Sequence, residues 1–199
     1  MTGALRIGVV PGVAPDRWVR VWRERRPRLP LEIVPVPEGG AAAALAGDVR
    51  MVFARLPIEG VDLEALHVIP LWEETPVVVA AKDHAIRVVE GVRLAELADE
   101  EVRPGWDEAV LDLVAAGHGV ARMPHAVFRS TGRRDLVSRP VVDAEPTRIG
   151  LVWLRAEAAP EIDEFVGVVR GRTENSSRGA APSPPPPPPR PPAPRRRRR

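Results

Sequence analysis

Apolar runs and apolar stripes alternate along the first 55 residues. LRIGVV at 5–10 is an unbroken apolar run closed by Pro11-Gly12, the pattern of a buried strand that ends in a turn. In PDRWVRVWRERR, Trp18, Val21 and Trp22 share one side of a helix and arginines fill the other, with Pro15 and Asp16 suited to its first turn. LEIVPVP at 31–37 has strand composition, and Pro35 and Pro37, which lack amide donors, favour an edge position. GGAAAALAG is a short helix closed by Gly47, and VRMVFAR at 49–55 is a third strand. Strand, helix, strand, helix, strand predicts a parallel, wound α/β sheet.

Two further strand-like runs, 65–71 and 75–81, are split by Trp72-Glu73-Glu74. VRLAELAD at 92–99 predicts a small helix. AVLDLVAAG predicts another, with Val110, Leu111, Leu113 and Val114 on its apolar side and Gly117 as a C-terminal cap. GVARM is a strand, Pro124 starts the helix HAVFRS, and LVSRPVV and RIGLVWL supply more strands. PEIDEFVGVVRGR closes the pattern as an amphipathic helix with Ile162, Phe165, Val166 and Val169 inward.

Composition changes abruptly near residue 172. The stretch 173–199, TENSSRGAAPSPPPPPPRPPAPRRRRR, has no aliphatic side chain larger than alanine and cannot build a core, which predicts a disordered tail with polyproline II in its middle. It holds 7 arginines and 1 glutamate; the other 172 residues hold 22 basic and 26 acidic side chains, a net of −4. The globular part is therefore mildly acidic, and a basic body that grips nucleic acid is not indicated. The arginine run can attract any polyanion electrostatically, without sequence specificity. The absence of cysteine excludes disulfides, thiolate nucleophiles and zinc ribbons. MTGALRIGVVPG does not read as a secretory leader, and no apolar run approaches the ~20 residues of a membrane span. A cytoplasmic location is expected.

LVAAGHGVARMPHAV at 113–127 concentrates two of the four histidines with two glycines and a proline. A metal centre needs three or four ligands, and no carboxylate lies between His118 and His125. A catalytic reading needs a nucleophile and an orienting acid in a known order, which is not found nearby. No catalytic residue, metal ligand or cofactor is assigned. The glycines at 39–40 and at 117 and 119 match neither the dinucleotide nor the P-loop spacing. Gly117 and Gly119 instead read as a tight passage from helix to strand, with His118 half-exposed in the loop.

Taken in order, LRIGVVPG, VRMVFAR with Leu-Pro after it, LWEETPVVVAAKDH, AVLDLVAAGHGVARMP and LVSRPV resemble the effector-binding domain of LysR-type transcriptional regulators across most of 5–170. The resemblance implies an α/β fold of the two-lobed, periplasmic-binding-protein type, with two crossover strands and a cleft between lobes. It places the first lobe at 1–75 and 145–172 and the second at 76–144, with crossovers near 75–81 and 141–153. It also implies transcription regulation by ligand sensing, without catalysis. Homodimer formation, or docking to a full-length regulator, is the expected association. No specific DNA binding by this chain alone, and no membrane association, are expected. Two departures stand out: the family's winged helix-turn-helix is not seen in this sequence, and the short connection at 103–109 suggests that a strand and helix of the second lobe are missing. A truncated regulator that serves as an interaction partner without a ligand is the alternative.

In an open sheet of this kind the ligand sits beyond the carboxyl ends of the strands, where helix N-termini point. That selects Gly12, Val13 and Ala14, whose backbone amides could receive a carboxylate. It selects Arg55 at the end of the third strand for a bidentate contact with an anionic effector, or else as a solvated surface arginine. Thr75 offers a hydroxyl at the hinge, and Met123, Pro124 and His125 end a strand at the crevice. The expected effector is a small molecule, with a carboxylate the leading class.

Overall fold

Nine strands and five α-helices form two sheets in the computed structural model, which describes residues 3–172. The chain order is β1 (Leu5–Val9), α1 (Asp16–Arg25), β2 (Leu31–Pro35), α2 (Ala41–Ala46), β3 (Met51–Leu56), β4 (Leu66–Glu74), β5 (Pro76–Ala81), β6 (Val102–Arg103), α3 (Glu108–Ala115), β7 (Val120–Pro124), α4 (His125–Thr131), β8 (Leu136–Pro140), β9 (Thr147–Leu154) and α5 (Pro160–Val169). The tail expected at 173–199 lies outside the described residues. Among the described residues no helix is long and apolar enough to cross a membrane.

The first sheet runs β2-β1-β3-β9-β4. β1 pairs in parallel with β2 and β3, as the alternating elements require, whereas β9 is antiparallel to both β3 and β4. β2, with its prolines, takes the edge, where a missing amide donor breaks no ladder bond. The second sheet runs β6-β7-β5-β8, with β5 antiparallel to both neighbours. The chain passes between sheets twice, at Thr75 and over 141–146.

Aromatic packing seats the helices on the first sheet. Trp18 stacks on Phe53 at 5.1 Å and on Trp72 at 6.1 Å, and Trp22 meets Phe165 of α5 edge-on at 5.7 Å. Trp22, Phe53 and Phe165 are fully buried, and such rings dominate the energetics of a small core. The apolar side of α1 is therefore consumed within the subunit. Its outward residues are charged: Arg17, Arg20, Arg23 and Glu24.

Several elements differ from the sequence expectation. The two runs at 65–71 and 75–81 are not split at Trp72-Glu73-Glu74: β4 continues to Glu74, absorbing an irregularity between Pro70 and Trp72, and the break falls at Thr75. The helix expected at 92–99 shrinks to one 3₁₀ turn, Leu94–Leu97. In α3, Leu111 and Val114 are buried but Leu113 is exposed, because the helix covers its sheet with a narrower face. In α5 it is Val168 that is buried, while Val169 is only partly so. β6 has only two residues, so the short 103–109 connection leaves a minimal edge to the second sheet. Its junction with β7 requires glycine: a Cβ at Gly119, where φ is +93°, would meet the Glu101 carbonyl oxygen at 2.2 Å.

Candidate functional site

Both crossovers and the turn after β1 converge on one place. The turn at Gly12 has φ +80° and lies directly on α4: a Cβ there would sit 2.7 Å from the Val127 amide nitrogen. Only glycine fits this conformation and this approach. The Val13 amide donates to Val10 O at 3.3 Å, closing the turn, and Ala14 is exposed beside it. Thr75, exposed at the first crossover, accepts the His125 amide through its carbonyl at 2.9 Å. Gly12, Thr75 and His125, distant in sequence, thus meet where the two sheets join.

Arg55 is close by but is not the solvated side chain that its sequence position allows. Its side chain is 8% exposed. Nη1 donates to Glu38 Oε2 at 2.7 Å, and Nη2 donates to Pro11 O at 2.9 Å and Glu74 Oε1 at 3.0 Å. Glu74, the one buried charged residue among those described, also accepts from the Thr147 hydroxyl at 3.2 Å. One arginine therefore ties the turn after β1, the loop after β2 and the last residue of β4 together. Through Glu74 it also reaches the first residue of β9.

The remaining expected residues divide. His125 is exposed at the start of α4, on the junction. Pro124 is buried as its N-cap residue, and Met123 is buried in the core of the second sheet among Val77, Leu111 and Val127. Met123 therefore supports the junction from behind. His118 is exposed in its loop. Among the described residues no group of three or more His, Asp or Glu is placed to hold a metal ion.

A cavity of about 830 Å³ lies elsewhere, between the end of α1, the β4 edge, the end of β9 and α5. Trp22, His67, Trp153 and Arg155 help to line it, and His67 packs on Trp153 at 5.0 Å. It shares no residue with the junction.

The residues that sequence reasoning missed at the junction are Glu38 and Glu74. Neither stands out locally, since each lies in a stretch whose charge reads as solvated. The register carries the signal: Arg55 pairs with Ile149 on β9, and Ile149 pairs with Trp72 on β4, two residues before Glu74.

Comparison with known proteins agrees with this architecture. The BenM effector binding domain with its effector benzoate is similar, with a TM-score of 0.67 and 22% identity over 85% of this chain and 91% of that one. The OxyR regulatory domain from Pseudomonas aeruginosa has a TM-score of 0.64 and 18% identity over 85% and 97%. Oxidized OxyR from Corynebacterium glutamicum has a TM-score of 0.66 and 23% identity over 85% and 64%. These likenesses establish the two-sheet, periplasmic-binding-protein-like fold. No protein of curated function matches the sequence. The LysR substrate binding domain matches residues 1–102, and the chain belongs to that family.

Proposed function

We propose that this chain is a ligand-sensing domain of transcription regulation, holding a small anionic molecule, a carboxylate foremost, at the junction of its two sheets. The observation that carries the reading is the convergence of Gly12, Arg55, Thr75 and His125, with the strand ends around them, where the crossovers join the two sheets. Benzoate, the effector of the similar BenM domain, supports the carboxylate class. In this reading Gly12 and Ala14 supply backbone amides on either side of Val13, whose own amide closes the turn onto Val10 O. Arg55 supplies charge, Thr75 and His125 supply polar side chains, and Met123 and Pro124 form the wall behind. The lobes divide at 1–75 with 145–172 against 76–144. No bond of the ligand is made or broken, in keeping with the regulatory domains it resembles, and the site of action is the cytoplasm.

A thermal-shift screen of small organic acids tests this. Saturation at a hundred times Kd adds about 2.7 kcal/mol of stability, roughly 5–10 °C for a domain of this size. A rise with one class of acid supports the reading. The absence of any rise favours a partner domain without a ligand, a second reading that the two-residue β6 keeps in view. Homodimer formation, or docking to a full-length regulator, belongs to the same proposal. Sedimentation at micromolar concentration is expected to show the dimer, and a monomer alone would remove it.

A further inference from the structure

We infer that Glu38 is a built-in stand-in for the effector's carboxylate, occupying Arg55 until an anion displaces it. The inference rests on the crevice reading above. The two carboxylates on Arg55 are unlike. Glu74 is 2% exposed at its side chain, sits beside Arg55 with both oxygens and accepts from Thr147. Glu38 is 36% exposed, belongs to the loop after β2 and holds Arg55 through Nη1 alone.

Charge decides how an anion can enter. Arg55, Glu38 and Glu74 together sum to −1, so a third carboxylate joining the intact cluster would meet net repulsion. One carboxylate must leave. Displacing Glu74 would strand a buried charge, which is strongly unfavourable. Displacing Glu38 returns a half-exposed side chain to water, and such exposed ion pairs shift an equilibrium by roughly fivefold at most. Arg55 is also incompletely satisfied. Nε lies 2.8 Å from Glu74 Oε2 but out of line, leaving its buried N–H without an aligned acceptor. That Nε–H faces Glu74, so the donor open to an incoming carboxylate is the Nη1 that Glu38 vacates, with Pro11 of the proposed ligand loop bonded to the neighbouring Nη2. Glu38 would raise the concentration at which the site fills, and it would select charged ligands over neutral ones of the same shape.

Nitrogen-15 NMR of the whole chain tests this with benzoate and benzamide as probes on wild type, Glu38→Gln and Arg55→Lys. Benzoate is expected to perturb the Gly12 amide and the Arg55 Nε–H of wild type, with a midpoint about three- to fivefold lower in Glu38→Gln. Arg55→Lys keeps a charge opposite Glu74 but loses the fork, so benzoate weakens there; benzamide titrates Glu38→Gln and wild type alike. Glu38 is exposed enough that Glu38→Gln keeps the fold, which its backbone spectrum checks. An unchanged or higher benzoate midpoint in Glu38→Gln overturns the inference and leaves the crevice reading standing. No perturbation of Gly12 or Arg55 in either protein, by benzoate or by acetate, overturns both.

Discussion

Arg55 shows what burial does to the role of a single side chain. An arginine at a strand end is ordinarily a solvated charge, but here Glu38, Pro11 and Glu74 close over it. Its pair with Glu74 is desolvated on both sides, so removing one member costs far more than losing a surface ion pair. Replacing Glu74 by leucine is expected to destabilise the fold by about 3 kcal/mol in urea unfolding. A loss below about 1 kcal/mol would mean that water reaches the pair, as at a surface bridge. The placement of Gly12, Arg55 and Thr75 at strand ends and turns was legible in the sequence, because such features announce themselves locally. Their partners were not. Glu74 meets Arg55 only through the β3–β9–β4 register, in which β9 pairs with two strands that lie far earlier in the chain. Met123 shows a second limit: a strand-end position does not say which way a side chain points, and this one turns into the core.

At the level of elements, periodicity served where a stripe of large residues had one sheet to cover. α1 and α5 follow their apolar stripes closely, and Trp22 and Phe165 meet where those stripes cross. Periodicity failed where tertiary pairing overrides local preference. β4 runs through Trp72-Glu73-Glu74 because β9 pairs with it on both sides of the irregularity at Pro70–Trp72, whereas 92–99 has too few apolar positions to sustain more than one turn. The second sheet has a clasp of its own. Arg133, just after α4, donates to Asp135 at 2.6 and 2.8 Å and to Asp112 of α3 at 2.7 Å. These bonds hold the Asp135 carboxyl below the usual carboxylate range, and Asp135, then Asp112, hold the Arg133 guanidinium above its own. A carboxylate with a lowered folded pKa contributes stability fully above its unfolded pKa, about 3.9, and loses it as pH falls through the folded value. The raised arginine loses its share only at extreme alkaline pH. Arg133→Ala is therefore expected to melt below wild type at neutral pH, with the gap closing as acid is added below that range. Calorimetry across pH checks this, and a gap that persists undiminished into strong acid would contradict it. The pair is exposed, so the neutral-pH difference is expected to be small.

The whole molecule follows from a division that the chain makes early. Strands and helices alternate to build the first sheet, the chain leaves it at Thr75, completes a smaller sheet and returns over 141–146 to insert β9 between β3 and β4. The sequence order carried this arrangement, because segments that resemble one family in the same succession fix topology even where no single motif is specific. The location of open space was not carried. A cavity of about 830 Å³ lies on the α1–α5 side, away from the residues expected to bind. At the junction the Gly12 turn already touches α4. Two places therefore compete for a ligand, and they share no residue. Residue-resolved NMR, with any acid that raises the melting temperature, separates them directly. Binding at the junction is expected to shift the amides of Gly12, Val13, Ala14, Thr75 and His125; shifts centred instead on Trp22, His67, Trp153 and Arg155 would contradict it.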